Sequence, residues 1–155
     1  MKVKNILFIL ALFLLTADIS FAQVDKKAVS TPAAGKSDAV RTSPAYAEVL
    51  LQKTELTSEL ESLLVEYTEE YPKVKELRFQ SGRLQTQLDR LLAVNAADAS
   101  KLSVALGKLM VRKSELDTDL WGLQKEFNDQ HPDVKRAKRK AEIFEAAIVD
   151  ILQSK

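Results

Sequence analysis

A ten-residue stretch that recurs at a fixed distance constrains this chain more than any other feature. Residues 66–75 have the sequence EYTEEYPKVK, and residues 126–135 have the sequence EFNDQHPDVK. The offset of 60 positions contains no gap and continues outside the motif. Further pairs at this offset include Lys53 and Lys113, Leu56 and Leu116, Leu60 and Leu120, Leu63 and Leu123, and Leu92 and Leu152. A fixed period of this kind predicts a tandem duplication of one structural unit.

The apolar residues around each copy follow a heptad pattern. In the first copy the a and d positions hold Val49, Leu56, Leu60, Leu63, Tyr67, Val74, Leu77, Leu84, Leu88 and Leu91. In the second copy they hold Leu109, Leu116, Leu120, Leu123, Phe127, Val134, Ala137, Ala141, Phe144, Ile148 and Ile151. Alternating spacings of three and four form the seam of a helix that packs on another helix. We therefore predict an all-α fold.

A proline interrupts each heptad pattern, at Pro72 and at Pro132. Proline inside a helix lacks an N–H, clashes with the carbonyl one turn earlier, and moves the preceding residue out of the helical region. Tyr71 and His131 are therefore predicted to be non-helical, and each proline to begin a new helix. The chain could continue as a kinked rod or reverse into a hairpin. The hairpin is favoured, because each arm then buries its seam within one chain.

These features predict two tandem, antiparallel, coiled-coil-like hairpins with four helices in total. The first repeat covers 44–94 and the second 98–153. Within them, the helices are predicted near 44–70, 72–94, 98–130 and 132–153.

Residues 1–22 are typical of a secretory signal peptide. Two lysines precede the apolar run 6–15, and Ser20 and Ala22 are small residues at the positions that determine cleavage. An uncleaved membrane anchor is the alternative, although the apolar run is short for a span and Asp18 follows it. We expect an exported protein, periplasmic or secreted, with no stable membrane span after cleavage.

Residues 23–43 are predicted to be a disordered linker, because they are rich in small residues, Pro and Gly and lack an apolar period. Cleavage after residue 22 removes two of the 23 basic and one of the 22 acidic side chains, so the net charge becomes close to zero. Such a balance gives no global attraction to nucleic acid or to an anionic membrane. The chain has no cysteine, so disulfides cannot stabilise it.

The two breaks share a motif: an aromatic residue, three further residues, His or Tyr, then Pro-x-Val-Lys. It is carried by Tyr67, Tyr71, Pro72 and Val74 in the first copy and by Phe127, His131, Pro132 and Val134 in the second. The motif resembles a segment in the periplasmic coiled coils of polysaccharide chain-length determinants, the Wzz and GumC-like co-polymerases. The resemblance covers the break regions and flanking heptads. It implies long helices on both sides of each break, export, and a role near polysaccharide export or chain-length control.

No group of residues suggests catalysis. His131 is the single histidine and has no cysteine near it, so a metal site or a nucleophile–base pair is not expected. We interpret His131 as a turn residue that caps a helix end. The acidic cluster of Glu66, Glu69 and Glu70 is interpreted as a solvated helix end. We predict no enzyme activity, no metal and no cofactor.

A run of five cations is the strongest local charge in the chain. It consists of Lys135, Arg136, Lys138, Arg139 and Lys140. The run could bind an anionic polysaccharide; export and the absence of interleaved aromatic residues argue against nucleic acid. Alternatively, the cations pair with acids on the facing helix. The acids available for this are Glu115, Asp119, Glu126 and Asp129.

Trp121 lies outside the heptad seam. With Leu50, Leu64, Leu92 and Met110 it can form a second apolar face, which would pack the two hairpins together or form a dimer. The leading functional hypothesis is a non-enzymatic structural or interaction module of the cell envelope, with a protein partner or self-association through helical faces. The alternatives are an accessory protein of polysaccharide export and a periplasmic holdase-type chaperone.

Overall fold

The structure, a computed structural model, describes residues 36–153. Its elements are α1 (Lys36–Arg41), α2 (Pro44–Leu64), α3 (Pro72–Leu92), a 3₁₀ helix (Ala96–Lys101), α4 (Val104–Glu126) and α5 (Pro132–Gln153). Within this range no strand occurs, and the prediction of an all-α fold is confirmed. The predicted signal peptide and residues 23–35 of the predicted linker lie outside the described residues.

Two helices end earlier than predicted, and one begins later. α2 ends at Leu64 rather than near 70, and α4 ends at Glu126 rather than near 130. The proline that follows cannot tolerate a helical carbonyl four residues before it, so the helix has to stop well upstream. The helix predicted from 98 is replaced by the 3₁₀ helix and by α4. Ser103, rather than Asp98 or Ser100, caps α4 by accepting a hydrogen bond from the Leu106 N–H at 3.3 Å.

Residues 36–43, which the sequence assigned to the linker, are folded. They form α1 and the N-cap of α2, and Val40 is fully buried. The repeat explains this difference, because at an offset of 60 α1 corresponds to the 3₁₀ helix and Ser43 corresponds to Ser103. Both serines accept a hydrogen bond from the N–H three residues later, each at 3.3 Å. Each unit therefore begins with a short helical segment, which composition alone did not indicate.

The helices pack in a consistent order along the chain. α2 packs against α3, α4 packs against α5, and α4 also contacts both α2 and α3. The Ala45 N–H donates to the Leu102 carbonyl at 3.1 Å, so α2 and α4 begin at the same end of the bundle. The Lys101 ammonium donates to the Leu152 carbonyl at 3.5 Å, which brings the end of α5 back to the beginning of α4.

The core contains most of the predicted a and d residues of the first copy, but only Ile148 of the second copy belongs to its buried part. The buried apolar residues of the main cluster are Val40, Ala45, Val49, Leu56, Leu60, Val74, Leu77, Leu84, Leu88, Leu91, Leu102, Leu106, Met110 and Ile148. Two predicted seam residues are exposed: Tyr67 is 42% exposed and Phe127 is 36% exposed. α2 and α4 end before these two residues. The rings are therefore not part of a helical face that packs on a neighbouring helix.

Candidate functional site

The two helix breaks lie at the same end of the bundle and have the same backbone. α2 and α4 start together and contain 21 and 23 residues, so they also end at the same level. In the first break the Tyr71 N–H donates to the Thr68 carbonyl at 3.0 Å. In the second, the His131 N–H donates to the Asn128 carbonyl, also at 3.0 Å. The duplicated motif therefore builds the same turn twice.

Each turn is closed by two stacked rings. Tyr67 stacks on Tyr71 with ring centroids 4.2 Å apart, and Phe127 stacks on His131 at the same separation. In each copy the first ring lies five positions before the proline and the second ring lies one position before it. The need to stack these two rings explains the aromatic-x3-Tyr/His-Pro spacing of the motif. The sequence predicted Tyr71 and His131 to be non-helical, and Tyr71 has an extended backbone with φ −62° and ψ 130°. The sequence does not predict the stacking itself, although the two rings are four positions apart in both copies.

His131 also caps α5. Its Nδ1 accepts a hydrogen bond from the Asp133 N–H at 3.2 Å, which confirms the interpretation of His131 as a capping residue. Tyr71, its counterpart 60 positions earlier, makes no side-chain cap bond. The Asp133 carboxylate in turn accepts a hydrogen bond from Arg136, which lowers the pKa of Asp133 below its usual value.

The acids of the first break are paired with α3. Glu69 accepts hydrogen bonds from the Arg78 guanidinium, and this interaction lowers the pKa of Glu69. Glu70 forms an ion pair with Lys75. The carboxylates of Glu69 and Glu70 therefore neutralise cations in the first two turns of α3.

The second break carries less negative charge. Asp129 and Gln130 occupy the positions that Glu69 and Glu70 occupy in the first break. The Asp129 carboxylate accepts a hydrogen bond from the Gln124 side chain at 3.1 Å rather than from α5. Gln130 is neutral, so it cannot form an ion pair.

The cations at the start of α5 consequently differ from those of α3. Lys135 and Lys138 are the counterparts of Lys75 and Arg78, and both are exposed. Among residues 36–153, no carboxylate lies within ion-pair distance of either lysine. The same two positions are thus neutralised in the first unit and unneutralised in the second.

The rest of the basic run pairs only within α5, if at all. Arg136 pairs with Asp133, and Arg139 pairs with Glu142 at 3.5 Å. Lys140 has no ion pair within the described part of the chain. The alternative prediction of pairing across to the facing helix is wrong for the described residues. The acids named for it were Glu115, Asp119, Glu126 and Asp129, and none of these pairs with the basic run.

A buried charge cluster joins α3 to α4. The Lys113 ammonium lies 2.6 and 2.7 Å from the two carboxylate oxygens of Asp117, and Arg83 donates to Asp117 at 2.6 and 3.0 Å. The side chains of Lys113 and Asp117 are only 9% and 12% exposed. Sequence reasoning missed this cluster; its signal was a lysine at an a position of the heptad.

Two grooves follow the contact between α4 and α5 on its opposite sides. One has a volume of about 420 Å³ and lies beside the charge cluster, with Lys138 on its wall. The other, of about 480 Å³, is lined by Arg112, Leu116, Asp119 and Leu123 of α4 and by Asp133, Arg136, Ala137 and Lys140 of α5. This second groove is called the open groove below. The basic run therefore borders both grooves.

Trp121 connects the two units. Its ring stacks on Phe79 of α3 with centroids 4.6 Å apart, and the Lys125 ammonium lies 3.0 Å from the centroid of the Trp121 ring. The expected second apolar face is only partly enclosed: Met110 is fully buried, whereas Leu50 is 42% exposed.

Comparison of the chain with protein-family models, with curated proteins and with solved structures found no match. The resemblance to polysaccharide chain-length determinants therefore stays a prediction. Within residues 36–153, no group of three or more histidine, aspartate and glutamate residues is placed to hold a metal ion. In the same range, none of the helices has both the length and the apolar character needed to cross a membrane.

Proposed function

We propose that this protein is an exported, non-enzymatic interaction module of the cell envelope, and that the basic surface at the start of α5 binds an acidic polysaccharide. Such a role would make the protein an accessory of polysaccharide export or of envelope structure. We also propose that its architecture is two tandem helical hairpins, 36–94 and 96–153. The packing of α2 on α3 and of α4 on α5 supports this interpretation.

The observation that carries the proposal is the contrast between the two breaks. Lys75 and Arg78 have acid partners within the first unit, whereas Lys135 and Lys138 have none among the described residues. A charge that is already neutralised contributes little to the attraction of a polyanion, because its field is largely cancelled at short range. Two unneutralised lysines three residues apart on a helix lie on neighbouring parts of its surface and can contact one chain of carboxylates.

The test measures binding of polygalacturonate by isothermal titration at low ionic strength, where screening is weakest. The double change Lys135→Glu and Lys138→Glu should weaken binding about thirtyfold, if each cation contributes roughly 1 kcal/mol near an anionic surface. The matched control changes their paired counterparts, Lys75 and Arg78, to glutamate. Binding by the control should weaken less than binding by the Lys135→Glu and Lys138→Glu variant, because both variants change the net charge equally but only the latter removes cations that lack a carboxylate partner among the described residues.

A second variant leaves every cation in place. Gln130→Glu gives Lys135 the partner that Glu70 gives Lys75, so polymer binding should weaken while helicity stays unchanged. No binding by wild-type protein, or equal losses in the two double variants, would contradict the proposal. Export is tested separately, by mass spectrometry of the protein from the host envelope. The predicted processed chain begins at Gln23.

A further inference from the structure

The two units pack on each other without twofold symmetry. The first long helix of unit 2, α4, packs on both helices of unit 1, whereas α2 packs on α4 but not to a comparable extent on α5. α2 and α4 also begin at the same end, as the bond from Ala45 to Leu102 shows. An arrangement in which one unit follows another by translation leaves an unused face at each end.

The open groove is the unused face at one end. It lies on the side of unit 2 that corresponds to the side of unit 1 covered by α4: Arg136 lines the open groove, and its counterpart Glu76 lines a cleft together with Thr118 and Trp121 of α4. Burial differs accordingly between the units. Val49 and Leu84 are fully buried, while their counterparts Leu109 and Phe144 are only partly buried. Ile143, the counterpart of Arg83, is 54% exposed. In the described chain nothing covers these residues as α4 covers unit 1.

The outer face of α2 is the unused face at the other end. α4 docks on unit 1 with Gly107, Met110, Ser114, Thr118 and Trp121, and the counterparts of these residues in α2 are Ala47, Leu50, Thr54, Ser58 and Glu61. The four counterparts other than Glu61 are small or apolar, and all five are exposed. Leu50 is 42% exposed and its neighbour Leu51 is 57% exposed. Among residues 36–153 this face therefore has the composition of a helix surface that packs on another helix, but no helix packs on it.

We propose that a second copy of this chain docks the outer face of its α2 into the open groove, so that copies associate head to tail. The contact repeats the one that α4 makes inside each molecule. Because the two surfaces differ, the association is heterologous and extends to further copies rather than closing as a twofold dimer.

The side chains that would meet in this contact are complementary. Inside the molecule, Trp121 stacks on Phe79. Between copies, the counterpart of Trp121 is Glu61 and the counterpart of Phe79 is Arg139, so an ion pair replaces the ring stack. Arg139 is available for it, since its side chain is 74% exposed and its contact to Glu142 is long, at 3.5 Å.

One difference weakens the contact relative to the internal one. A Cβ atom on Gly107 would lie 2.8 Å from the Glu48 Cβ and 3.0 Å from the Ala45 Cα, so the internal contact needs glycine. The counterpart of Gly107 is Ala47, whose methyl group keeps the second copy slightly farther away. Association between copies is therefore expected to be reversible and dependent on concentration.

The chain contains no cysteine, which permits a direct test by disulfide crosslinking. Gly107 approaches Ala45 closely inside the molecule, so their counterparts Ala47 and Ala105 should approach each other between copies. Both are exposed. Full-length Ala47→Cys and Ala105→Cys proteins are mixed and oxidised. A covalent dimer should form in the mixture and not in either variant alone. Loss of free thiol, measured in the same samples, serves as the control for the oxidation.

Two results would overturn the proposal. Dimers of one variant alone, at the rate seen in the mixture, would indicate a twofold contact. A mixture without dimer, from protein whose mass by sedimentation velocity stays that of a monomer at every concentration, would mean that another segment covers the groove or that it stays open.

Charge reversal provides a second readout that does not depend on oxidation. Glu61→Arg and Arg139→Glu should each weaken association by about two- to fivefold, since an exposed ion pair contributes up to about 1 kcal/mol. The double variant should recover association, because the pair is restored with opposite polarity. Asp89→Arg, on the outer surface of α3, is the control and should leave the sedimentation profile unchanged. Single variants that sediment like wild type would contradict the docking geometry.

Discussion

At the scale of single residues, close approach between helices decides where the two units meet. Gly107 lies against α2 with no space for a side chain, whereas Gly122, on the same helix, has no neighbouring atom within 4 Å of an added Cβ. The sequence shows two glycines in one helix and does not distinguish them. Only the packing of α4 on α2 separates the glycine that is required from the one that is not.

Gly107→Ala should reduce the free energy of unfolding by about 1–3 kcal/mol, the usual range for overpacking. Gly122→Ala is the matched control, because it makes the same change in an open position. It should raise stability by up to about 1 kcal/mol through helix propensity. Urea denaturation of both variants measures the difference, and equal effects would mean that α4 does not approach α2 at Gly107.

Arg78 controls the ionisation of Glu69 at the first break. The lowered pKa means that this carboxyl holds its proton less tightly in the folded than in the unfolded chain. The ion pair therefore contributes stability above the unfolded-state pKa, and the contribution is lost as the pH falls through the lowered folded-state pKa.

In the Arg78→Met variant, the pKa of Glu69 should rise toward its ordinary value, which carboxyl NMR titration measures directly. The variant should also lose less stability than wild type as the pH falls through the acidic range. Lys75→Met is the control, because Lys75 pairs with Glu70 and not with Glu69. An unchanged Glu69 pKa in Arg78→Met would show that the pair does not form in solution.

At the scale of elements, the heptad pattern and the prolines predicted most of the helices. Pro72 and Pro132 begin α3 and α5 as expected, and residues such as Leu77 and Leu84 are buried where the pattern placed them. The heptad pattern wrongly predicted that Tyr67 and Phe127 would be buried. The pattern continues in the sequence up to each proline, but the steric effect of the proline ends the helix before these two residues. The pattern also missed α1, because Val40 is buried by other elements and not by a local apolar period.

The charge cluster between α3 and α4 could not be predicted, because it depends on which helix faces Lys113. Ion pairs require atoms to be a few ångströms apart, and the hairpin hypothesis alone does not place α3 against α4. The basic run shows the same limit: its position on α5 was evident, but its partners were assigned to the wrong helix. Charge in a sequence is easy to locate, whereas charge pairing depends on tertiary structure.

Asp117→Ala leaves the Lys113 ammonium buried without a carboxylate, and should cost about 3–5 kcal/mol of unfolding free energy. Glu115→Ala, on the same helix, removes the partner of the more exposed Arg112 and should cost less than about 1 kcal/mol. Thermal and urea unfolding of the two variants make the comparison. Similar losses for both would mean that water reaches the cluster freely.

At the scale of the whole molecule, the chain uses one structural unit twice. At an offset of 60, α1 corresponds to the 3₁₀ helix and the Ser43 cap corresponds to the Ser103 cap. The two helix breaks with their stacked rings correspond in the same way. The units differ because of their positions: α4 covers unit 1, whereas in the described part of the chain unit 2 keeps an open groove, and Lys135 and Lys138 have no carboxylate partner. The proposed polymer surface and the proposed contact between copies both arise from these differences.

Distances between spin labels at equivalent positions of the two units test most directly whether each unit folds back at its proline. Cysteine-linked labels at Glu59 and Gln85 span the first unit, and labels at Asp119 and Glu145 span the second. If each unit folds back at its proline, both pairs of positions should lie within one helix packing distance, about 10 Å at the backbone, and the two distributions should resemble each other. A continuous helix would separate 26 positions by about 39 Å. A distance near that value in either unit, or clearly different values in the two, would contradict the account.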